Sequence, residues 1–196
     1  TTNLAEQLAE HDLSNGYKVV ANIPYQATGK ILRQLFTPLE NAADRSLTGF
    51  TQTRRPRQIV LLVQKEVAQR ITGGPGQMSV LAVRVQFYGN PEIVAIVPRD
   101  NFFPAPSVDS AILKIDVFPQ PPPFAAVDEK AFFRLVKIGF SSRRKTLLNT
   151  LSAGYHLPKE VIADVLQRAG LRAEQRAQEL DLEAWQRLLA CLEQSV

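Results

Sequence analysis

The run Tyr17 to Asn22 is short and apolar and ends at Asn22-Ile23-Pro24-Tyr25. Its composition is that of a buried strand, so the tetrapeptide falls at a strand's C-terminal end, where open α/β sheets bind ligands. The Asn22 side-chain oxygen and the Ile23 carbonyl supply two neighbouring acceptors. Such a pair suits an aromatic amino group like that of adenine. Its lone pair is delocalised into the ring, and it becomes a useful nucleophile when acceptors hold it in a tetrahedral geometry. Pro24 stiffens the turn, and Tyr25 offers a flat face on which an extruded base stacks. The competing reading is an ordinary strand-ending turn.

A second element, Phe102-Phe103-Pro104-Ala105-Pro106-Ser107-Val108-Asp109-Ser110, lies between two candidate strands. Its prolines restrict the backbone, so an aromatic there is held toward a ligand at small entropic cost. Phe102 is the better candidate for a second face opposite Tyr25. The alternative is that Phe102 and Phe103 plug the core, and at least one of them is expected to do so. The third element is Phe140-Ser141-Ser142-Arg143-Arg144-Lys145-Thr146-Leu147-Leu148, with three cations at the expected start of a helix. The helix dipole disfavours cations there, and phosphate binding is a demand that would place them; a solvated face is the alternative. Arg54-Arg55-Pro56-Arg57 is a second basic cluster, for which solvation is at least as good an account.

The elements that position these groups alternate. Strands are expected at Tyr17 to Asn22, Ile59 to Gln64, Glu92 to Val97 and Ser110 to Val117, the last two close enough to pair antiparallel. Helices are expected at Leu4 to Glu10, Thr28 to Phe36, Lys65 to Ile71 and Ser79 to Tyr88. This is an α/β pattern ending near residue 118. Pro119 to Pro123 holds four prolines in five residues, an extended break suited to a linker over 119–123. Beyond it, Asp128 to Gly139, Arg144 to Leu151, Lys159 to Ala169 and Asp181 to Leu192 have helical spacing, so 124–196 is expected to be all-α. Trp185 falls on the apolar face of the last helix, and Gly73-Gly74-Pro75-Gly76 lacks the Lys-Ser/Thr of a phosphate loop and reads as a turn.

Composition narrows the class. The chain has 196 residues, 45% hydrophobic, a formal charge of +4 and a pI near 9.4, which suit a globular protein with a polyanionic partner. Its single cysteine, Cys191, excludes an intrachain disulfide and a cysteine-based zinc site. His11 and His156 have no partner at metal-ligand spacing, so no metal is expected. No apolar run approaches the ~20 residues of a membrane span, and the first residues do not resemble a signal peptide.

In this order, N-I-P-Y, F-F-P-A-P-S-V-D-S and F-S-S-R-R-K-T-L resemble the family that dimethylates adenines of small-subunit ribosomal RNA. Pro75-Gly76 followed by Ser79-Val80-Leu81 extends the likeness over nearly the whole chain. The resemblance implies a Rossmann-like, S-adenosylmethionine-dependent methyltransferase domain, here 1–118, followed by a small all-α RNA-binding domain. It implies two adjacent adenines near the RNA's 3′ end as targets, within an immature small ribosomal subunit. By it, Asn22 touches both donor and target, Ile23, Pro24, Tyr25 and Phe102 form the adenine site, and Arg143, Arg144 and Lys145 lie toward RNA. A monomer in the cytoplasm is expected, or in an organelle where a transit peptide precedes the chain. Family members begin with a strand and a Gly-rich loop for the donor, and nothing here matches them. The strand at Tyr17 corresponds to the family's fourth, so the N-terminal strands are expected to be missing and the chain alone inactive. Two alternatives remain: the related large-subunit RNA methyltransferases that confer antibiotic resistance and share N-[IL]-P-Y, and a non-catalytic RNA-binding ribosome-assembly factor.

Overall fold

The computed structural model describes residues 17–36, 56–119 and 127–195. The expected helix at Leu4 to Glu10, His11, Arg54, Arg55 and most of the proline-rich stretch lie outside them.

Among the described residues, four strands form one sheet in the order β1-β2-β4-β3: β1 (Lys18–Asn22), β2 (Gln58–Gln64), β3 (Gly89–Val97) and β4 (Ser110–Val117). β1 and β2 run parallel, with Asn22 opposite Leu62, and α1 (Thr28–Phe36) lies between them in sequence. β4 pairs antiparallel with both β2 and β3, in keeping with the pairing expected of the closing strands. Alternation sets the core: Ile59, Leu61 and Val63 of β2 and Ala111, Leu113 and Ile115 of β4 are fully buried, as period-two patterning requires of one sheet face. Leu32 and Phe36 of α1 are also fully buried, and Phe36 stacks on Tyr88 with ring centroids 5.2 Å apart.

β3 begins three residues before the expected Glu92 and follows α3 (Val80–Tyr88) without a loop. Pro91 falls inside β3, an edge strand, where a missing proline N–H costs no ladder bond. Gly89 makes the junction. A Cβ there would lie 2.7 Å from the Asp116 carbonyl oxygen, and only glycine avoids that clash.

The chain forms two compact units. Among the described residues, 69–87 group with those from Val127 onward, and the others group with the sheet. The division falls inside α2 (Lys65–Thr72) and just before Tyr88. In the second unit the helices are α4 (Glu129–Gly139), α5 (Leu147–Tyr155), α6 (Lys159–Arg168) and α7 (Leu182–Glu193). Asp128 caps α4, accepting from the Lys130 N–H at 2.8 Å, and Asp181 caps α7, accepting from the Ala184 N–H at 2.7 Å. Phe87 meets Phe132 and Phe133 at 4.9 and 5.1 Å, and Trp185, fully buried, packs against Phe140. The Gly73 to Gly76 segment is a turn, with Gly76 at φ +94°. Among the described residues no helix is long and apolar enough to cross a membrane.

Candidate active site

β1 delivers Asn22 to the end of the sheet, and the buried Ile23 anchors the chain as it turns away. A short 3₁₀ turn, Tyr25–Ala27, follows. The Ala27 N–H bonds the Pro24 carbonyl at 2.9 Å, and the buried Thr28 hydroxyl donates to the Tyr25 carbonyl at 3.0 Å. The turn is therefore closed by the carbonyls of Pro24 and Tyr25. The Ile23 carbonyl takes no part in it, and the exposed Asn22 side chain has no hydrogen-bond partner among the described residues. Both acceptors that the sequence points to are left for a ligand.

The opposite wall is the loop between β3 and β4, held at both ends. A 3₁₀ turn at Arg99–Asn101 leads into Phe102. Asp109 accepts the Arg99 N–H at 3.2 Å and pairs with Lys65 at 3.6 Å, while its carbonyl accepts the Lys65 N–H at 3.0 Å. Ser110, fully buried as the first residue of β4, has its hydroxyl 2.6 Å from that of Tyr25. This hydrogen bond ties the two walls together.

Between the walls is a cleft of about 440 Å³, lined by Asn22, Ile23, Pro24 and Tyr25 on one side and Phe102, Phe103, Pro104 and Pro106 on the other. The five expected adenine-site residues thus share one cavity. None of the eight lining side chains carries a formal charge at neutral pH, and three are aromatic. That chemistry fits a neutral, flat heterocycle held by stacking and a few acceptors. It fits the methyl donor only in part. Asn22 borders the cleft, but no carboxylate among the lining residues could hold a ribose. Nor do His, Cys, Asp or Glu residues gather in threes to hold a metal, among the described residues.

Two expectations need correction. Neither Phe102 nor Phe103 plugs the core: Phe102 is half-buried against the cleft, and Phe103 is fully exposed at 102%. Hydrophobicity suggests burial, but the loop is anchored through Asp109 and Ser110 instead, which frees both rings. Arg143, Arg144 and Lys145 precede the helix instead of opening it. α5 starts at Leu147, with Thr146 at its N-cap, so the cations occupy the turn just before the positive end of the helix. All three are exposed and form no ion pair among the described residues. They belong to the second compact unit and the cleft to the first. Sequence reasoning assigned no role to Phe103, Asp109 or Ser110. The signal lay in the V-D-S run, where polar residues open a buried strand.

A family profile described as ribosomal RNA adenine dimethylase matches residues 1–194. The chain belongs to that family. A ribosomal RNA small subunit methyltransferase A from Dehalococcoides mccartyi (strain CBDB1) is 43% identical over 178 residues, covering 90% of this chain and 55% of that protein. The chain thus spans about half the length of the curated relatives it matches first. Among solved structures, a dimethyladenosine transferase from Plasmodium falciparum aligns with a TM-score of 0.64 and 26% identity, over 91% of this chain and 67% of that one. The 23S rRNA methyltransferase ErmE aligns with a TM-score of 0.65 and 22% identity, over 98% of this chain and 79% of that one, a likeness of fold. The family is one of S-adenosylmethionine-dependent methyltransferases with a Rossmann-like fold, as the motifs implied.

Proposed function

We propose that the protein transfers methyl groups to N6 of two adjacent adenines near the 3′ end of small-subunit ribosomal RNA, dimethylating each during ribosome biogenesis. The observation that carries this reading is the uncharged cleft in which Asn22 and the Ile23 carbonyl, without partners among the described residues, stand beside Tyr25 and Phe102. An adenine drawn out of its strand enters between the Tyr25 and Phe102 rings. The Asn22 oxygen and the Ile23 carbonyl accept the two N6 hydrogens and orient the nitrogen lone pair out of the ring plane. S-adenosylmethionine, when bound, supplies an electrophilic methyl group. The lining holds no charged group, so adenine enters as the neutral base, and the N6 proton displaced by each methyl group passes to water.

In this reading residues 124–196 serve RNA binding, with Arg143, Arg144 and Lys145 on phosphates. The substrate is an immature small subunit and the enzyme a cytoplasmic monomer. By the resemblance Asn22 is the donor contact that carries over to this chain, so in this reading transfer draws on a donor-binding segment in addition to these residues. The relatives' greater length supports this.

The test is to map dimethyladenosine in ribosomal RNA from cells with and without the gene, and in RNA treated with the purified protein. Loss of two adjacent small-subunit modifications on deletion supports the proposal. A large-subunit site would move the protein to the antibiotic-resistance branch. No change in either RNA, with binding intact, would identify an assembly factor.

A further inference from the structure

The cleft holds three aromatic rings, while one extruded base has two faces. Tyr25 and Phe102, both half-buried, account for those faces in the proposed function. Phe103 is left over. It borders the same cleft, yet is the most exposed of the large apolar side chains, with nothing from the described residues over it. A phenylalanine so placed exposes its whole apolar surface to water, which burial in a partner would relieve. Pro104 and Pro106 follow it with fixed φ angles, so this side of the loop loses little further freedom when the ring engages a ligand. The residues that line the cleft beside it are also uncharged, which argues for a second flat, neutral group there.

We infer that Phe103 is a stacking platform for the nucleobase adjoining the one in the cleft, so that the enzyme grips two consecutive bases at once. This rests on the proposed function, in which the targets are adjacent and each must wait beside the cleft while the other reacts. The platform holds the waiting base by its face and reads no hydrogen bonds, so either adenine, methylated or not, can occupy it. A base stacked on an aromatic side chain typically contributes enough that alanine substitution weakens binding about tenfold.

The test uses the full chain and a short single-stranded RNA containing the two adjacent adenines, with 2-aminopurine replacing each in turn; lacking the 6-amino group that Asn22 and Ile23 hold, the probe takes the flanking place and leaves the intact adenine to the cleft. Stacking quenches its emission. In the wild type, quenching is expected at both positions. Phe103→Ala is expected to restore emission from the flanking position several-fold and weaken binding about tenfold. Phe103→Trp should keep both signals, and Phe103→Leu, apolar but not flat, should behave like alanine. Since the Phe103 side chain lies outside the core, an unchanged melting temperature certifies that each variant is folded.

Flanking quenching unchanged in Phe103→Ala, or full affinity in Phe103→Leu, would overturn the platform and leave the cleft reading standing. Quenching at neither position in the wild type would overturn the platform, while methyl transfer to the unsubstituted adenines tests the cleft separately. RNA-free Phe103→Trp supplies a separate check. Its added emission, taken as a difference from wild type because Trp185 is present, should be that of a solvent-exposed indole. Blue-shifted emission would mean that protein already covers the ring, and would overturn the inference.

Discussion

The Tyr25 hydroxyl lies 2.6 Å from the Ser110 hydroxyl across 85 positions of sequence, joining the turn after β1 to the first residue of β4. Tyr25 is thereby held at both ends: its backbone is fixed through Thr28, and its ring is fixed by the far wall of the cleft. Removing either hydroxyl releases the ring without emptying the cleft. Ser110→Ala should therefore cost about 1 kcal/mol in stability and lower methyl transfer more than that, about tenfold, because positioning a reactant is sensitive to small displacements. Tyr25→Phe should resemble it. The double variant should be no worse than either single one, since both remove the same bond. Urea melts and transfer rates on the three variants check this; full additivity would show that the two hydroxyls act independently.

Asp109 serves the other end of the loop, through the Arg99 N–H and Lys65. Both partners of the ion pair are more than a third exposed, so its Coulombic part is screened and contributes under about 1 kcal/mol. Asp109→Asn retains an acceptor for the Arg99 N–H and should be mild. Asp109→Ala should lose the loop's anchor and reduce transfer several-fold, with a melting temperature nearly unchanged. A large fall in melting temperature for Asp109→Asn would show that the ion pair, not the loop bond, is what matters.

Much of this is legible in the sequence, for a physical reason. Asn22 to Tyr25 can be placed because an apolar, strand-like run must end before a proline and strand ends host ligands; the burial expected of that run is not found, since β1 alternates between exposed and half-buried residues and Val20 is 76% exposed. The Phe102 loop can be placed because prolines between two β-rich runs exclude a regular element. Apolar spacing takes the caps Asp128 and Asp181 as first helical residues, one position early, because a cap side chain leaves no periodic signal of its own. The sheet order is not legible, since β2 lies between β1 and β4 through pairings distant in sequence. Nor is the Tyr25 to Ser110 bond, which exists only once that order is set. The inclusion of residues 69–87 in the helical unit is hidden in the same way, because Phe87 finds its aromatic partner Phe132 far along the chain.

The β3 to β4 ladder carries a charged triad in which Lys114 lies 3.1 Å from both Glu92 and Asp116. A hydrogen bond from Gln58, and then Lys114, holds the Asp116 carboxyl below its usual range; bonds to Asp116 and Glu92 raise Lys114. A lowered carboxylate stabilises the fold above its unfolded value near 4 and loses that effect as pH falls through its folded value. A raised lysine stabilises below its unfolded value near 10.4 and loses the effect as pH rises through its folded value. Melting temperatures of wild type and Asp116→Asn should therefore differ slightly between about pH 5 and 9 and converge in acid below about pH 3. A difference that grows in acid would contradict the assignment.

Arg143, Arg144 and Lys145 are exposed and unpaired among the described residues, so replacing all three by Ala should leave the fold unchanged. Binding to small-subunit RNA should weaken, and the slope of log affinity against log salt should shrink by roughly 0.7 to 0.9 for each phosphate that is no longer neutralised. An unaltered salt slope would place the RNA elsewhere on the protein.

The central claim is that Asn22 and its neighbours receive a target adenine. Its most direct test is incorporation of labelled methyl groups from S-adenosylmethionine into unmethylated small ribosomal subunits. The protein, extended through any preceding reading frame, is compared as wild type and as Asn22→Ala at equal RNA occupancy. The account predicts two dimethylated adenines for the wild type and a fall of at least about 100-fold for Asn22→Ala, the scale seen when a positioned hydrogen-bonding group is removed from a reacting centre. Equal incorporation by the two proteins would contradict it.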